Sequence, residues 1–172
     1  MNRSRARDYV PLIAAARAAR WPTRDAAMQG VVDLLWGAFG DPGPHAPGRG
    51  YSWVGFYLHG PGPDEMTLAV RRNKPACSPI GLHGMCGWCW RERRPIIVAD
   101  VATLGADYIA CDPKDRSELV LPCIDDRGGC WGVLDVDSWD LGSFDGSDAE
   151  GCAALLRAAG LTEATPATAL RL

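Results

Sequence analysis

The stretch HGMCGWCW, His83 to Trp90, sets Cys86 and Cys89 in a C-x-x-C spacing flanked by tryptophans. Cys77 precedes them, and Cys111, Cys123, Cys130 and Cys152 follow, seven cysteines in all. Metal ligation, redox exchange and plain burial compete for such a pattern. A thioredoxin-like pair should follow a strand and open a helix in a βαβ unit, and the order of elements here supplies no such unit. A zinc site needs a second pair, and Cys111 and Cys123 lack that spacing; a mixed site using Cys77 and His83 is a weaker alternative. The odd cysteine count argues against a complete disulfide framework, and in a reducing compartment clustered cysteines point to metal or catalysis.

A second set of chemical groups lies in SELVLPCIDDRGGCWGVLDVDS, Ser117 to Ser138. Strand side chains alternate between faces, so Asp135 and Asp137 point the same way, about 7 Å apart. A hairpin closed symmetrically over Arg127-Gly128 sets Val120 opposite Asp135, Glu118 opposite Asp137, and Ile124 opposite Trp131. Glu118, Asp135 and Asp137 then share one patch, whereas a three-residue loop would slip the register and spoil it. Like charges facing each other weaken a sheet, so folding alone does not call for three acids there. Val120 and Val133 on the same face argue for a lined pocket over an open surface. Such a pocket suits a cation, a metal, or a carboxyl kept protonated by its neighbours. Calcium or magnesium would fit three acids, but the nearby cysteines do not suit hard metals.

The elements that must carry these groups are legible in outline. The basic start MNRSRARDYVPLIAAARAARWP makes a poor signal peptide and a fair amphipathic helix. Asp25 to Phe39 has apolar residues at helical spacing. Asp41 to Gly50 is dense in proline and glycine and reads as a loop. SWVGFYLHG and MTLAVR read as a strand pair, and Gly84 to Arg93 as a short helix stopped before Pro95. PIIVADV, ELVLPCI and CWGVLDVDS read as further strands, the last two joined by the turn DDRGG. SFDGSDAEGCAALLRAAG reads as a capped helix with Ala149, Cys152, Ala153 and Leu156 on one face. Residues 1–160 thus form one α+β domain: helices over 1–40, a loop over 41–50, sheet and site loops over 51–140, and a closing helix over 145–160. A central antiparallel sheet is expected, with the helices grouped on one side. The tail over 161–172 is expected to fray.

With 172 residues, the chain has the usual length of one domain, and its net charge is −3. Its bases are scattered: Arg3, Arg5, Arg7 and the Arg91–Arg94 group are too short to form a nucleic-acid stripe. Apolar runs stay short of membrane-spanning length, so a soluble, cytoplasmic protein without nucleic-acid or membrane partners is expected. The sequence leaves the oligomeric state open, a homodimer included.

Six blocks occur together in a telling order: WVGFYL (Trp53–Leu58), KPAC (Lys74–Cys77), GMCG (Gly84–Gly87), YIACD (Tyr108–Asp112), SELVLP (Ser117–Pro122) and GVLDVDS (Gly132–Ser138). In this the chain resembles the free methionine-R-sulfoxide reductases, catalytic members of the GAF fold, from about Trp53 to Asp148. The resemblance implies a GAF-like fold, with the N- and C-terminal helices packed together and a small pocket under the loop carrying Cys111. It implies reduction of the free amino acid's R-sulfoxide, with Cys111 attacking and Cys77 resolving, Cys86 being the alternative resolver. Glu118, Asp135 and Asp137 would grip the substrate; independently of the resemblance, a carboxyl crowded by two others should have a raised pKa, so Glu118 is expected to donate a proton to the sulfoxide oxygen. Trp53 and Tyr57 are candidates for the wall at the substrate's methyl end, although both are equally compatible with sheet core. Metal and cofactor are not called for. An outside dithiol, thioredoxin by expectation, would return the disulfide to thiols.

On this pattern Cys86 opens a helix, where the dipole should lower its pKa, and Cys89 is an added, small buried residue. The run CSPIGLHGMC departs from the family by one missing residue and by lacking a Gly-basic-Gly pattern, which leaves the choice of resolving cysteine open. Cys123 and Cys152 are expected in the core and Cys130 exposed by the turn, and His59 and His83 carry no base-partner pattern. The rival reading from another class is a non-catalytic GAF sensor domain that responds to a small molecule, a metal or redox state.

Overall fold

A computed structural model describes residues 6–40, 50–60, 62–109, 111–163, 165 and 167–172. The loop expected over 41–50 and the arginines at 3 and 5 therefore lie almost wholly outside the described residues. Helix α1 spans Val10–Ala18 with a proline in its first turn, where the missing N–H costs little. Helix α2 spans Arg24–Phe39, and Thr23 caps it by accepting from the Ala26 N–H at 3.1 Å. Its buried face carries Ala27, Met28, Val31, Val32 and Leu35, the stripe that the sequence spacing predicts.

The described residues build a seven-stranded sheet from β1 (Trp53–His59), β2 (Glu65–Arg72), β3 (Ile80–Gly81), β4 (Ile96–Val98), β5 (Ser117–Ile124), β6 (Cys130–Ser138) and β7 (Leu170–Arg171). Their order is β3-β2-β1-β6-β5-β4-β7, antiparallel throughout except for the parallel β4–β7 pair. Helix α3 (Met85–Glu92) joins β3 to β4, and α4 (Gly146–Ala158) follows β6. A reciprocal capping box between Asp145 and Asp148 opens α4.

Strand alternation divides the core in two. Val54, Phe56, Leu119, Leu121, Leu134 and Val136 face α1, α2 and α4. Trp53, Tyr57, Val120 and Val133 face the other way, with Cys86 and Cys89 of α3. The N- and C-terminal helices pack on one side, as expected, and α3 lies on the opposite face, its buried side meeting the pocket side of the sheet.

Two corrections concern chain ends and turns. The described residues after Leu161 are tied to the sheet and do not fray. Leu161 is buried, the Ile124 N–H donates to Thr162 Oγ1 at 3.0 Å, and β7 covers the edge of β4. The DDRGG turn is also longer than a two-residue loop. Gly128 N–H donates to Asp125 O at 3.1 Å, Asp125 N–H donates to Gly129 O at 2.8 Å, and Gly128 takes φ +80°. This is a three-residue loop with glycine in the left-handed position. A bulge next to Cys123 then pairs Ile124 with Cys130, leaves Trp131 as the extra residue, and restores the register. Glu118 faces Asp137 and Val120 faces Asp135, as the symmetric hairpin predicts.

Candidate active site

The pocket lies between the sheet and two loops, one running from Lys74 to Cys77 and the other from Tyr108 to Asp115. Its floor is the face of β5 and β6 that carries Glu118 and Asp135, 5 % and 7 % exposed. Asp137 stands partly buried beside them, and Asp115 is buried under the second loop, where Ser52 Oγ donates to its Oδ1 at 2.7 Å. All these carboxyls line the cavity, together with Cys86, Cys111, Trp53 and Tyr57. It encloses about 560 Å³ including its open mouth.

Burial and crowding decide the charge state of the floor. Glu118 is pushed well above the usual carboxylate range by burial, then by Asp137 and Asp115. Asp135 is raised by burial and then by Glu118, and Asp137 by burial and then by Asp135. Asp115 is raised to about 6, burial outweighing the Ser52 hydrogen bond. Burial and crowding of this kind shift Glu118 toward its protonated form, in which it can donate a hydrogen bond. Glu118 Oε2 and Asp135 Oδ1 are buried and meet no hydrogen-bond partner among the described residues. Sγ of Cys86 and one oxygen each of Glu118 and Asp135 lie within 4.8 Å of one another. That grouping could hold a small cation or accept an ammonium group.

The two exposed cysteines sit at the mouth. Cys77 and Cys111 are both exposed free thiols. Burial first, then the neighbouring Cys77 and Asp135, raise the Cys111 thiol to about 12, so in the free protein it is a thiol at neutral pH. Tyr57 Oη donates to the Cys77 carbonyl at 2.8 Å, and Trp53 Nε1 donates to the Lys74 carbonyl at 3.0 Å. These two β1 side chains, their rings 6.0 Å apart, therefore both wall the pocket and tie down the Cys77 loop.

Cys86 differs from expectation in its chemistry. It occupies the first turn of α3, but its pKa is raised well above the ordinary value, by burial first and then by Asp135 and Glu118. The dipole of an eight-residue helix does not offset a buried, acid-lined setting. Cys89 is fully buried behind it, and Cys123 and Cys152 lie in the core on the helix side of the sheet. Cys130 is only half-buried; the bulge turns it toward α3, where Trp90 Nε1 donates to its carbonyl at 2.7 Å. His83 is exposed outside the pocket, and His59 stacks on Trp90 at 4.2 Å. Sequence reasoning missed Lys74, Tyr108, Asp112 and Asp115 as pocket residues. The first three lie inside the quoted blocks KPAC and YIACD, which were the available signal.

A buried acidic floor beneath two cysteine-bearing loops, on a sheet with helices α1, α2 and α4 behind it, is one variant of a widespread ligand-binding architecture. Residues 46–163 match the GAF domain, and the chain belongs to that family. Among its relatives, GAF domain-containing protein A of Dictyostelium discoideum is 41% identical over 99 residues, 57% of this chain and 61% of that protein. Free methionine-R-sulfoxide reductase of Saccharomyces cerevisiae is 36% identical over 102 residues, 58% of this chain and 56% of that one. The chain thus spans about three fifths of the length of these curated relatives. The X-ray structure of free methionine-R-sulfoxide reductase from Neisseria meningitidis in complex with its substrate superposes with a TM-score of 0.70 at 31% identity, covering 92% of this chain and 95% of that one. The resemblance drawn from the six sequence blocks is borne out by these relatives. No helix among the described residues is long and apolar enough to cross a membrane.

Proposed function

We propose that this protein reduces free methionine-R-sulfoxide to methionine, with Cys111 as nucleophile and Cys77 as resolving thiol. The observation that carries the reading is the pairing of two neighbouring free thiols at the mouth with buried carboxyl oxygens on the floor that have no partner among the described residues. The free amino acid offers an ammonium group, and Glu118, Asp135 and Asp137 give it a place where folding alone gives those acids none. Binding that cation favours ionisation of one acid, while crowding keeps another protonated. Glu118, the most deeply buried, donates its proton to the sulfoxide oxygen. Trp53 and Tyr57 wall the methyl end.

Cys111 sulfur attacks the sulfoxide sulfur. The sulfoxide S–O bond breaks, the oxygen ends on Cys111 as a sulfenic acid, and methionine leaves with the two electrons the thiol gave up. Cys77 then condenses with the sulfenic acid, forming a disulfide and releasing water. Cys86 fits the resolving role less well, being buried with its sulfur within 4.8 Å of the Glu118 and Asp135 carboxyls. Two exchanges with an external dithiol, by expectation thioredoxin, restore both thiols, and the exposure of Cys77 and Cys111 leaves them open to it. No resident cofactor is needed for this balance.

The test is to mix the reduced protein with each epimer of free methionine sulfoxide and count thiols and methionine. Loss of two thiols per methionine formed, with the R epimer alone, is the expected result. Tight binding without thiol loss would overturn the enzyme reading and leave a ligand-sensing GAF domain.

A further inference from the structure

The two cysteine loops are joined by an ion pair that no part of the proposed chemistry uses. Lys74 lies three residues before Cys77, Asp112 directly follows Cys111, and Lys74 Nζ pairs with Asp112 Oδ2. The same Asp112 oxygen accepts from Trp139 Nε1 at 3.4 Å, and its other oxygen accepts from the Lys114 N–H at 3.0 Å. The Lys74 ammonium also sits 5.2 Å from the centre of the Trp139 ring. Each partner is anchored on the sheet: Lys74 through its carbonyl on Trp53 of β1, Asp112 through Trp139 just beyond β6. Lys74 is also the only basic side chain among the residues lining the pocket.

The side chains are 33% and 16% exposed, so solvent screens the pair less than an open surface bridge. Burial alone would raise the Asp112 carboxyl. Its hydrogen bonds to Lys74, the Lys114 amide and Trp139 hold it below the usual range instead.

We propose that the Lys74–Asp112 pair is a latch that holds the Cys77 loop against the Cys111 loop, so that the resolving sulfur stays within bonding reach of the oxidised one. Lys74 and Asp112 are positioning residues: they act on the second chemical step, closure of the disulfide, rather than on oxygen transfer. The inference rests on the proposed reductase reading. It adds to that reading a cause for the thiol pairing at the mouth, since two exposed loops otherwise have independent freedom to lose when their sulfurs meet.

Lys74→Met removes the charge and keeps the length, Lys74→Arg keeps the charge, and Asp112→Asn removes the partner. The experiment is a single turnover with free methionine-R-sulfoxide in the absence of external dithiol. Methionine release and disulfide closure are followed separately, with a 1,3-dione to trap the sulfenic acid. In Lys74→Met and Asp112→Asn, methionine release should stay within about threefold of wild type while closure slows about tenfold or more, as lost pre-positioning predicts. The trap then captures Cys111, and the steady-state kcat falls with little change in KM. Lys74→Arg should close at nearly the wild-type rate. Closure unchanged in both charge-removing variants would overturn the latch. So would closure in Lys74→Arg as slow as in Lys74→Met, or methionine release and closure falling together with the melting temperature. If the wild-type protein releases no methionine, the reductase reading itself fails, and that result is distinct from all of these.

Discussion

Both faces of the sheet bury carboxyl groups, and they treat them in opposite ways. On the helix side Asp148 is 2 % exposed, yet Arg7 pairs with it at 2.9 Å, Tyr9 Oη donates to it at 3.0 Å, and the Asp145 N–H donates to it at 2.9 Å. Arg7 in turn donates to the Ser143 carbonyl and hydroxyl and lies 4.9 Å from the centre of the Tyr51 ring. On the pocket side Glu118 and Asp135 are buried nearly as deeply, and each has an oxygen that finds no partner among the described residues. A buried carboxyl that serves the fold comes with its cation and its donors. One that lacks them weakens the fold, and here it lines the same pocket as the Cys111 thiol. Burial is common to both sites; partnership separates structure from function.

The contrast can be broken most sharply at the mouth. Cys111→Ser should abolish methionine formation from the R epimer while leaving binding of the free amino acid, measured by calorimetry, intact. Next in size, Glu118→Gln should lower kcat about 100-fold or more, the usual scale for a lost general acid. Its melting temperature should nonetheless rise, because an isosteric amide relieves the crowding; unchanged turnover would remove Glu118 from the mechanism. The helix side predicts the reverse. Asp148→Asn, or Arg7→Met, should destabilise by about 3–5 kcal/mol in urea unfolding, the penalty for breaking a buried pair, with kcat and KM of the folded fraction unchanged.

A pH series sharpens the same comparison with a smaller effect. The pocket acids have raised folded-state pKa values, so between the unfolded range near 4 and those values the folded state binds more protons than the unfolded one. Their contribution to stability is therefore greatest at low pH and is lost as pH rises, beginning with the window up to about 6 set by Asp115. The slope of melting temperature against pH should be shallower in Glu118→Gln than in wild type. The smallest change expected is Cys89→Ala: a buried thiol behind the pocket, whose loss should shift stability by about 1 kcal/mol and leave turnover alone.

The fold and the acid patch were legible in the sequence because alternation and helical spacing act over many residues. Glu118, Asp135 and Asp137 were placed correctly through a turn that was misread, since the bulge cancels the longer loop and single-strand patterns do not reveal such a cancellation. Strand β7 was invisible: two residues of a short tail carry no alternation, and their pairing comes from the exposed edge of β4. The direction of the Cys86 shift was missed because helix position can be read locally, while burial against Asp135 and Glu118 is a property of the assembled fold. Lys74 and Asp112 stood within recognised blocks, but their contact joins loops 38 positions apart.

The bulge beside Cys123 has a consequence for how this hairpin can vary. An offset introduced at the tip is absorbed by Trp131, which packs toward the helix side with Arg24 4.4 Å from its ring centre, before the chain reaches Asp135. The tip and the acidic floor are mechanically uncoupled. Residues 125–129 are thus a natural splice point, where a reporter peptide could be grafted or the chain lengthened without re-aiming a single acid.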